Sequence, residues 1–466
     1  MREESGSVVT LIKNDTRQKI NAFLADPRYI LVLAVLTAFS FSVSGEWFFF
    51  LGITALVCYI CAFADDLLPL APVFVFAYMA PSVMGNPGRY NNTIFSNSNI
   101  LYVELLGVIM AGCLLYRVLT NRKQFFRRGN RLMPGILILC GAYLLSGIGS
   151  EGYTGVAGKN LVFALCQCAG LLLPYWLLAN GVNWKKARKD YLAWIGVAAG
   201  CLIVYEIFCA YFINNAIQNG IIYRERIYVG WGMRNNIGCM IAMSIPFTMV
   251  LGIRYKKGIY GIVGGAFLLV GTLMTTSRTS SIFGAAGFAS CVVIMFFYTD
   301  DRKKKLLLMT LVTVAVLLLV TIFHKPLLRL FSQSLDDASE MISRYTIYQN
   351  GLKTFLDAPL FGGSFYPGKY SAWGWSQAQV REALPDRWHN TVVQLLASCG
   401  ITGLLAYAYH RIQTVRMALA FRSREKKLTV VAVLIMLLSS MLDCHFFNVG
   451  PTLFYSVILA FLDKQD

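Results

Sequence analysis

The residue in this chain best placed for chemistry is His389, at the point where a long polar stretch meets an apolar run. Asn390 follows, then nine residues, then Gly400, two more residues and Gly403. On a continuous helix turning ~100° per residue, Gly400 lies about 20° from His389 around the axis and Gly403 about 40° to the other side. Leu396 and Tyr407 share that face. Glycines on a helix face let a neighbouring helix approach closely, so the face carrying His389 is expected to point into a bundle. A histidine there can orient or deprotonate an acceptor hydroxyl. The plainer alternative is a histidine that only caps a helix at a membrane surface.

Arginines form the second set. Arg278 stands in the short polar break Thr276-Ser277-Arg278-Thr279-Ser280, flanked by hydroxyls. Arg344 lies beside an apolar stripe at Met341, Tyr345 and Tyr348, and Arg224, Arg226 and Arg234 share one connecting segment. A guanidinium offers permanently charged, bidentate donors that match phosphate oxygens. Arginines could hold a lipid-linked diphosphate and stabilise it as a leaving group. The alternative is that these long side chains only reach to lipid headgroups.

The elements that would position these residues follow from composition. The apolar fraction is 56%, only 14% of residues are charged, and the mean hydropathy is +0.56. Apolar stretches of bilayer length recur along the chain, which points to an all-α polytopic bundle rather than a soluble protein or a membrane barrel. Spans are expected at 29–44, 46–64, 67–84, 100–119, 132–148, 161–180, 191–213, 235–253, 258–276, 280–298, 306–323, 390–410, 428–443 and 447–462. The whole chain, 1–466, is expected to be one integral membrane domain.

The net charge of +18 does not point to nucleic acid, because the cations cluster in short segments between apolar runs. With a cytoplasmic N-terminus, 29 of the 42 lysines and arginines fall on the inner side, and 7 of the other 13 lie in a single long loop, 324–388. That bias predicts a multi-pass protein of the cytoplasmic membrane with both termini inside and the loop outside. Within the loop, apolar positions from Leu335 to Leu356 recur with helical period, which predicts an amphipathic helix carrying Arg344 and started by Ser334 and Asp337. Asp357-Ala358-Pro359 and Gly362-Gly363 should end it.

Other features are expected to be structural. Nearly all of the twelve cysteines fall in apolar runs, so neither a disulfide framework nor a metal site is implied. The polar N-terminal stretch of about 27 residues argues against a cleaved signal peptide. His324, His410 and His445 lack metal-ligand spacing. His324 and His410 look interfacial, and His445, in a tight turn with Asp443, is a weak second candidate for chemistry.

The sequence resembles the O-antigen ligase and polymerase family of bacterial envelope glycosyltransferases. The resemblance is carried by His389-Asn390…Gly400-x-x-Gly403, by Arg344-Tyr345-Thr346-Ile347-Tyr348…Pro359-Leu360-Phe361-Gly362, by Ser277-Arg278, and by Arg226…Gly230…Arg234-Asn235-Asn236. It is best over roughly 220–410. It implies a GT-C-type bundle that transfers or polymerises a glycan from an undecaprenyl-diphosphate donor to a glycan, lipid or protein hydroxyl on the outer face of the membrane. Metal-independent inversion without a cofactor is implied too, and membrane lipids are the remaining partners. By position, His389 matches the family's essential histidine. Arg278 and Arg344 match its outer arginines, Arg226 is a weaker match, and Asn390, Gly400 and Gly403 support the histidine. Which of Arg224, Arg226 and Arg234 is the true counterpart stays open, as does ligase against polymerase. A flippase or transporter of lipid-linked glycan is the alternative, although no internal repeat of the transporter kind is visible.

Overall fold

The structure is a computed structural model that describes residues 15–43, 46–77, 79, 100–126, 129–151, 153–212, 215–218, 221–223, 226–229, 232–297, 303, 310, 338–365 and 388–464. In chain order its main helices are α1 (Pro27–Ser42), α2 (Glu46–Phe63), α3 (Leu70–Phe76), α4 (Ile100–Thr120), α5 (Met133–Leu144), α6 (Tyr153–Gly181) and α7 (Tyr191–Phe212). Two small hairpins follow, β1 (Ile217–Gln218) with β2 (Ile221–Ile222) and β3 (Tyr228–Val229) with β4 (Gly232–Met233). Then come α8 (Arg234–Arg254), α9 (Gly258–Met274), α10 (Arg278–Phe297), α11 (Ala338–Asp357), α12 (Thr391–Leu419), α13 (Arg424–Ser439) and α14 (Val449–Lys464).

Six of the described helices are long and apolar enough to cross a bilayer, and a bent helix pair, Asp15–Leu24 with Pro27–Ser40, makes a seventh candidate. Large apolar side chains such as Val35, Leu101, Val108 and Phe297 are exposed on helix surfaces. Such surface is stable only against lipid or another apolar partner. The protein is therefore an all-α polytopic membrane protein.

The chain divides into two compact units. One comprises residues 1–129, 176–233 and 464–466. In it α1 packs on α7, α2 packs on α4, and Leu67 N–H donates to the Gly181 carbonyl at 3.0 Å. The Tyr191 hydroxyl donates to the Leu24 carbonyl at 3.0 Å and that of Tyr29 to the Pro69 carbonyl at 3.0 Å, so buried phenols cap turns that would otherwise lack donors.

The other unit comprises residues 130–175 and 234–463, and α8 is its core. Of the most apolar window of α8, 89% is buried, against 6% for α4 in the first unit. A helix apolar all round and buried all round belongs at the centre of a bundle. It packs on α9, α10 and α13, while α12 packs on α5 and α11.

Most expected spans coincide with a helix to within a few residues. Three differ in an informative way. The span expected at 67–84 contains only the short α3 among described residues, and that at 306–323 lies outside them apart from residue 310. The span expected to end at 410 continues to Leu419. His410 and Arg411, read from sequence as the membrane boundary and the first loop cation, are thus inside α12. His410 is fully buried, not interfacial. The helix expected from Leu335 to Leu356 is present as α11, whereas 324–337 and 366–387 lie outside the described residues, His324, Ser334 and Asp337 among them.

Candidate functional site

The site is built where α12 begins. Asn390 is in extended conformation and its side-chain oxygen accepts from Val392 N–H at 2.8 Å and Val393 N–H at 3.2 Å. This satisfies two donors that a helix start leaves open. The Asn390 amide nitrogen donates to the Met441 carbonyl at 2.7 Å, and Thr391 N–H donates to the Ser440 carbonyl at 3.0 Å. One asparagine therefore starts α12 and ties it to the turn between α13 and α14.

His389, immediately before this cap, has φ of 49°, a left-handed value that a non-glycine residue adopts only when its surroundings fix it. Buried Trp388 holds the preceding backbone, with its N–H on Gln394 Oε1 at 3.0 Å. The His389 carbonyl accepts from the Tyr348 hydroxyl of α11 at 3.2 Å.

The His389 ring faces Asp443, with Nδ1 3.3 Å from Oδ1. The His389 side chain is 38% exposed and that of Asp443 only 8%. Two further donors fix the carboxylate: Cys444 N–H reaches Oδ1 at 2.7 Å and the Asn235 side-chain amide reaches Oδ2 at 2.7 Å. Burial would raise the Asp443 carboxyl, but the His389 hydrogen bond, the neighbouring His445 and His389 charges and the Cys444 N–H outweigh it. Together they hold it well below the usual carboxylate range. An ionised carboxylate only accepts, so it sets the neutral imidazole as the Nδ1–H tautomer. That leaves the lone pair on Nε2, the nitrogen able to take a proton.

Asn235 extends the network. Its side chain holds Asp443, while its carbonyl accepts from the Ser280 hydroxyl at 3.1 Å. Gly238, one turn further along α8, makes the approach of α10 possible: a Cβ there would lie 2.7 Å from Ser280 Oγ and 2.9 Å from Thr275 Oγ1. The Ser277 hydroxyl donates to Ser280 Oγ at 3.0 Å, and the Ser281 hydroxyl donates back to the Ser277 carbonyl at 2.7 Å. The hydroxyls around Arg278 thus brace the turn, which reverses at Thr276 with φ of 56°. Arg278 is the first residue of α10 and half-buried. His389, Asp443, Asn235 and Ser280 form a chain of contacts, and Arg278 lies two residues before Ser280 in sequence.

Arg344 lies on α11 one helical turn before Tyr348, the residue that touches His389. Arg226 belongs to the other compact unit, where its guanidinium donates to the Asn215 carbonyl at 3.0 Å and lies 4.5 Å from the centre of the Tyr223 ring. Arg234 begins α8, and Arg224 lies outside the described residues.

Gly400 corrects the reading of one continuous helix face. It has φ of 63° and ψ of −157°, so α12 breaks there and the angular relation to His389 does not carry across. Into the break comes the backbone of Pro359 and Leu360. Ile401 N–H donates to the Pro359 carbonyl at 2.8 Å, and Thr402 N–H donates to the Leu360 carbonyl at 3.3 Å. A Cβ on Gly400 would sit 2.5 Å from the Leu360 carbonyl carbon. Gly363 N–H donates to the Ala397 carbonyl at 2.7 Å from the other side. Pro359-Leu360-Phe361-Gly362 and the Gly400 signature are therefore the two sides of one backbone junction. Gly403 lies beyond the break with Cys399 against it.

Sequence reasoning named Asp443 only as a neighbour of His445, and Asn235 only as part of an asparagine-rich helix start. The available signal was that Asp443 is an acid in a very short link between two apolar runs, where an unpartnered charge is costly. His445, the weak second candidate, is fully buried, with Nδ1 3.3 Å from Asn236 Oδ1. Burial lowers its pKa, and the charge of Asp443 only partly offsets this.

The described helices thus form a membrane bundle that carries a histidine–carboxylate pair at the start of α12. Residues 263–408 match the family model described as O-antigen ligase, so this part of the chain is similar to that family. The match covers α10, α11, Arg278, Arg344 and the His389–Gly403 signature, and ends before Asp443. No curated protein matches the chain.

Proposed function

We propose that the protein transfers or polymerises a glycan from an undecaprenyl-diphosphate donor onto a hydroxyl acceptor at the outer face of the cytoplasmic membrane. The observation that carries this reading is the His389–Asp443 pair, a half-exposed imidazole oriented by a buried carboxylate. The acceptor O–H gives its proton to His389 Nε2 as its oxygen bonds to the anomeric carbon. The bond from that carbon to the diphosphate breaks on the opposite face, with inversion, and undecaprenyl diphosphate departs. Asp443 keeps the ring in the right tautomer and stabilises the imidazolium that forms. Arg278 and Arg344 hold the leaving diphosphate, and Arg226 is a further candidate for this role. The loop 324–388 faces out with this site, both termini are cytoplasmic, and the inward lysine and arginine clusters support that orientation.

The test is mass analysis of lipid-linked glycans in a deletion strain complemented with wild type or His389→Ala. Wild type restores transfer, and His389→Ala does not, although it is inserted at normal level. Long accumulated chains identify a ligase and single repeats a polymerase. Full activity of His389→Ala, or accumulation of unflipped cytoplasmic donor, would overturn the assignment.

A further inference from the structure

Arg411 lies within α12, in the unit that carries the site, and none of the roles assigned above uses it. Its guanidinium is boxed by rings, with the centre of Tyr407 at 4.3 Å, of Phe446 at 4.5 Å and of Tyr455 at 5.2 Å. Nη1 donates to the Tyr455 hydroxyl. That hydroxyl in turn lies 3.2 Å from His410 Nε2. The rings and Tyr455 thus fix the plane of the guanidinium and use one of its nitrogens.

The opposite edge is different. Nε and Nη2 are both shut off from solvent and neither has a hydrogen-bond partner among the described residues. These two nitrogens form the side edge of the guanidinium, whose parallel N–H bonds match two oxygens of one phosphate or carboxylate. Arginine stays charged in a protein, and ring faces attract the cation without accepting its N–H bonds. Among the described residues no carboxylate lies within ion-pair distance of it. The neighbouring Tyr143 feels the Arg411 charge, is fully buried, and has a hydroxyl that also lacks a partner. A buried hydroxyl on α5 and a buried guanidinium edge on α12 thus both lack a hydrogen-bond partner among the described residues.

We infer that the Nε–Nη2 edge of Arg411, with the Tyr143 hydroxyl, is a second oxyanion site that takes the phosphate of a lipid. The rings suit a ligand whose charged group is followed by apolar chain. This phosphate chemistry has two sources, the headgroup of an anionic bilayer lipid and a polyprenyl diphosphate. The inference does not rest on the transfer reading, because it concerns binding alone.

The test is a native mass spectrometry titration of the full-length protein, delipidated in detergent, with phosphatidylglycerol and separately with undecaprenyl diphosphate. Wild type retains one tightly held lipid. Arg411→Gln and Arg411→Lys each weaken it about tenfold or more, since lysine keeps the charge but loses the fork. Weakening for undecaprenyl diphosphate alone assigns the site to the donor or released carrier. Weakening for phosphatidylglycerol, alone or as well, assigns it to a headgroup. Tyr143→Phe removes one hydroxyl without opening a cavity and weakens binding about threefold, which keeps the test valid if the Arg411 variants do not fold. Unchanged affinity for both lipids in the folded variants overturns the inference and leaves Arg411 a structural cation. Binding can fail here while transfer persists, and the reverse, so the two readings are separable.

Discussion

His389 precedes the first half of one broken helix and His410 lies within the second, and their surroundings are opposite. His389 is half-exposed and faces a carboxylate that three donors hold in place. His410 is fully buried, faces the Tyr455 hydroxyl, and neighbours Arg411 in a box of rings. A histidine moves protons when solvent or substrate reaches it and a charge sets its tautomer. One sealed among aromatics has no solvent with which to exchange a proton, and there the adjacent arginine carries the permanent charge. On the readings proposed above, the first half of α12 serves proton transfer and the second half anion binding, with the Gly400 break between them.

The sharpest way to break this comparison is at Asp443. Asp443→Asn preserves shape, but its amide can donate to His389 and favour the wrong tautomer. Transfer should fall by about 10²-fold or more, within the range typical of general base catalysis. The carboxylate is held low in the folded protein, so its stabilising contribution is complete above the ordinary value of ~3.9 and is lost only as pH falls through the depressed one. Transfer rates measured in wild type from pH 8 down to about 5 should therefore show no limb owed to Asp443. A variant as active as wild type, with an unchanged pH profile, would reduce the pair to a structural contact.

How much of this was legible beforehand depends on the kind of interaction. Helices such as α7, α8 and α10 announce themselves, because a bilayer demands a long uncharged run and the chain supplies 191–213, 235–253 and 280–298 almost to the residue. His389 and Asn390 were visible because a polar pair at the start of an apolar run has few purposes. The end of α12 was misread because Arg411 and Arg416 look like a membrane boundary, while ring faces let a guanidinium go deeper. Asp443 was undervalued because its partner is 54 residues away, and periodicity carries no information over that distance. The Gly400 break was invisible for the same reason: only Pro359 and Leu360, folded back from α11, make a left-handed residue there useful.

Gly400→Ala tests whether the break matters. A Cβ would force a left-handed conformation on alanine and press on the Leu360 backbone, at a cost of about 2 kcal/mol or more. The expected outcome is a lower midpoint in a thermal aggregation assay and reduced transfer, because α11 and the start of α12 share this junction. Normal stability would mean that the two halves of α12 do not need to be separate.

The smallest expected effect is at the arginines and asks how each cation is used. Arg278 begins α10 beside hydroxyls committed to bracing its turn, so the turn should survive a change of side chain. Arg344 lies one turn from Tyr348 on α11. Lysine at either position keeps a point charge but loses the fork that matches two phosphate oxygens. Each substitution should therefore lower transfer about tenfold, near 1.4 kcal/mol of transition-state stabilisation. The loss should appear more in kcat than in KM if the diphosphate is gripped harder as it leaves. Arg226→Lys, in a side chain already engaged with Asn215 and Tyr223, should cost less than either. Lysine variants as fast as wild type would show that charge at the membrane surface is sufficient. Bidentate phosphate recognition in this protein would then belong to the aromatic-boxed arginine of α12 alone.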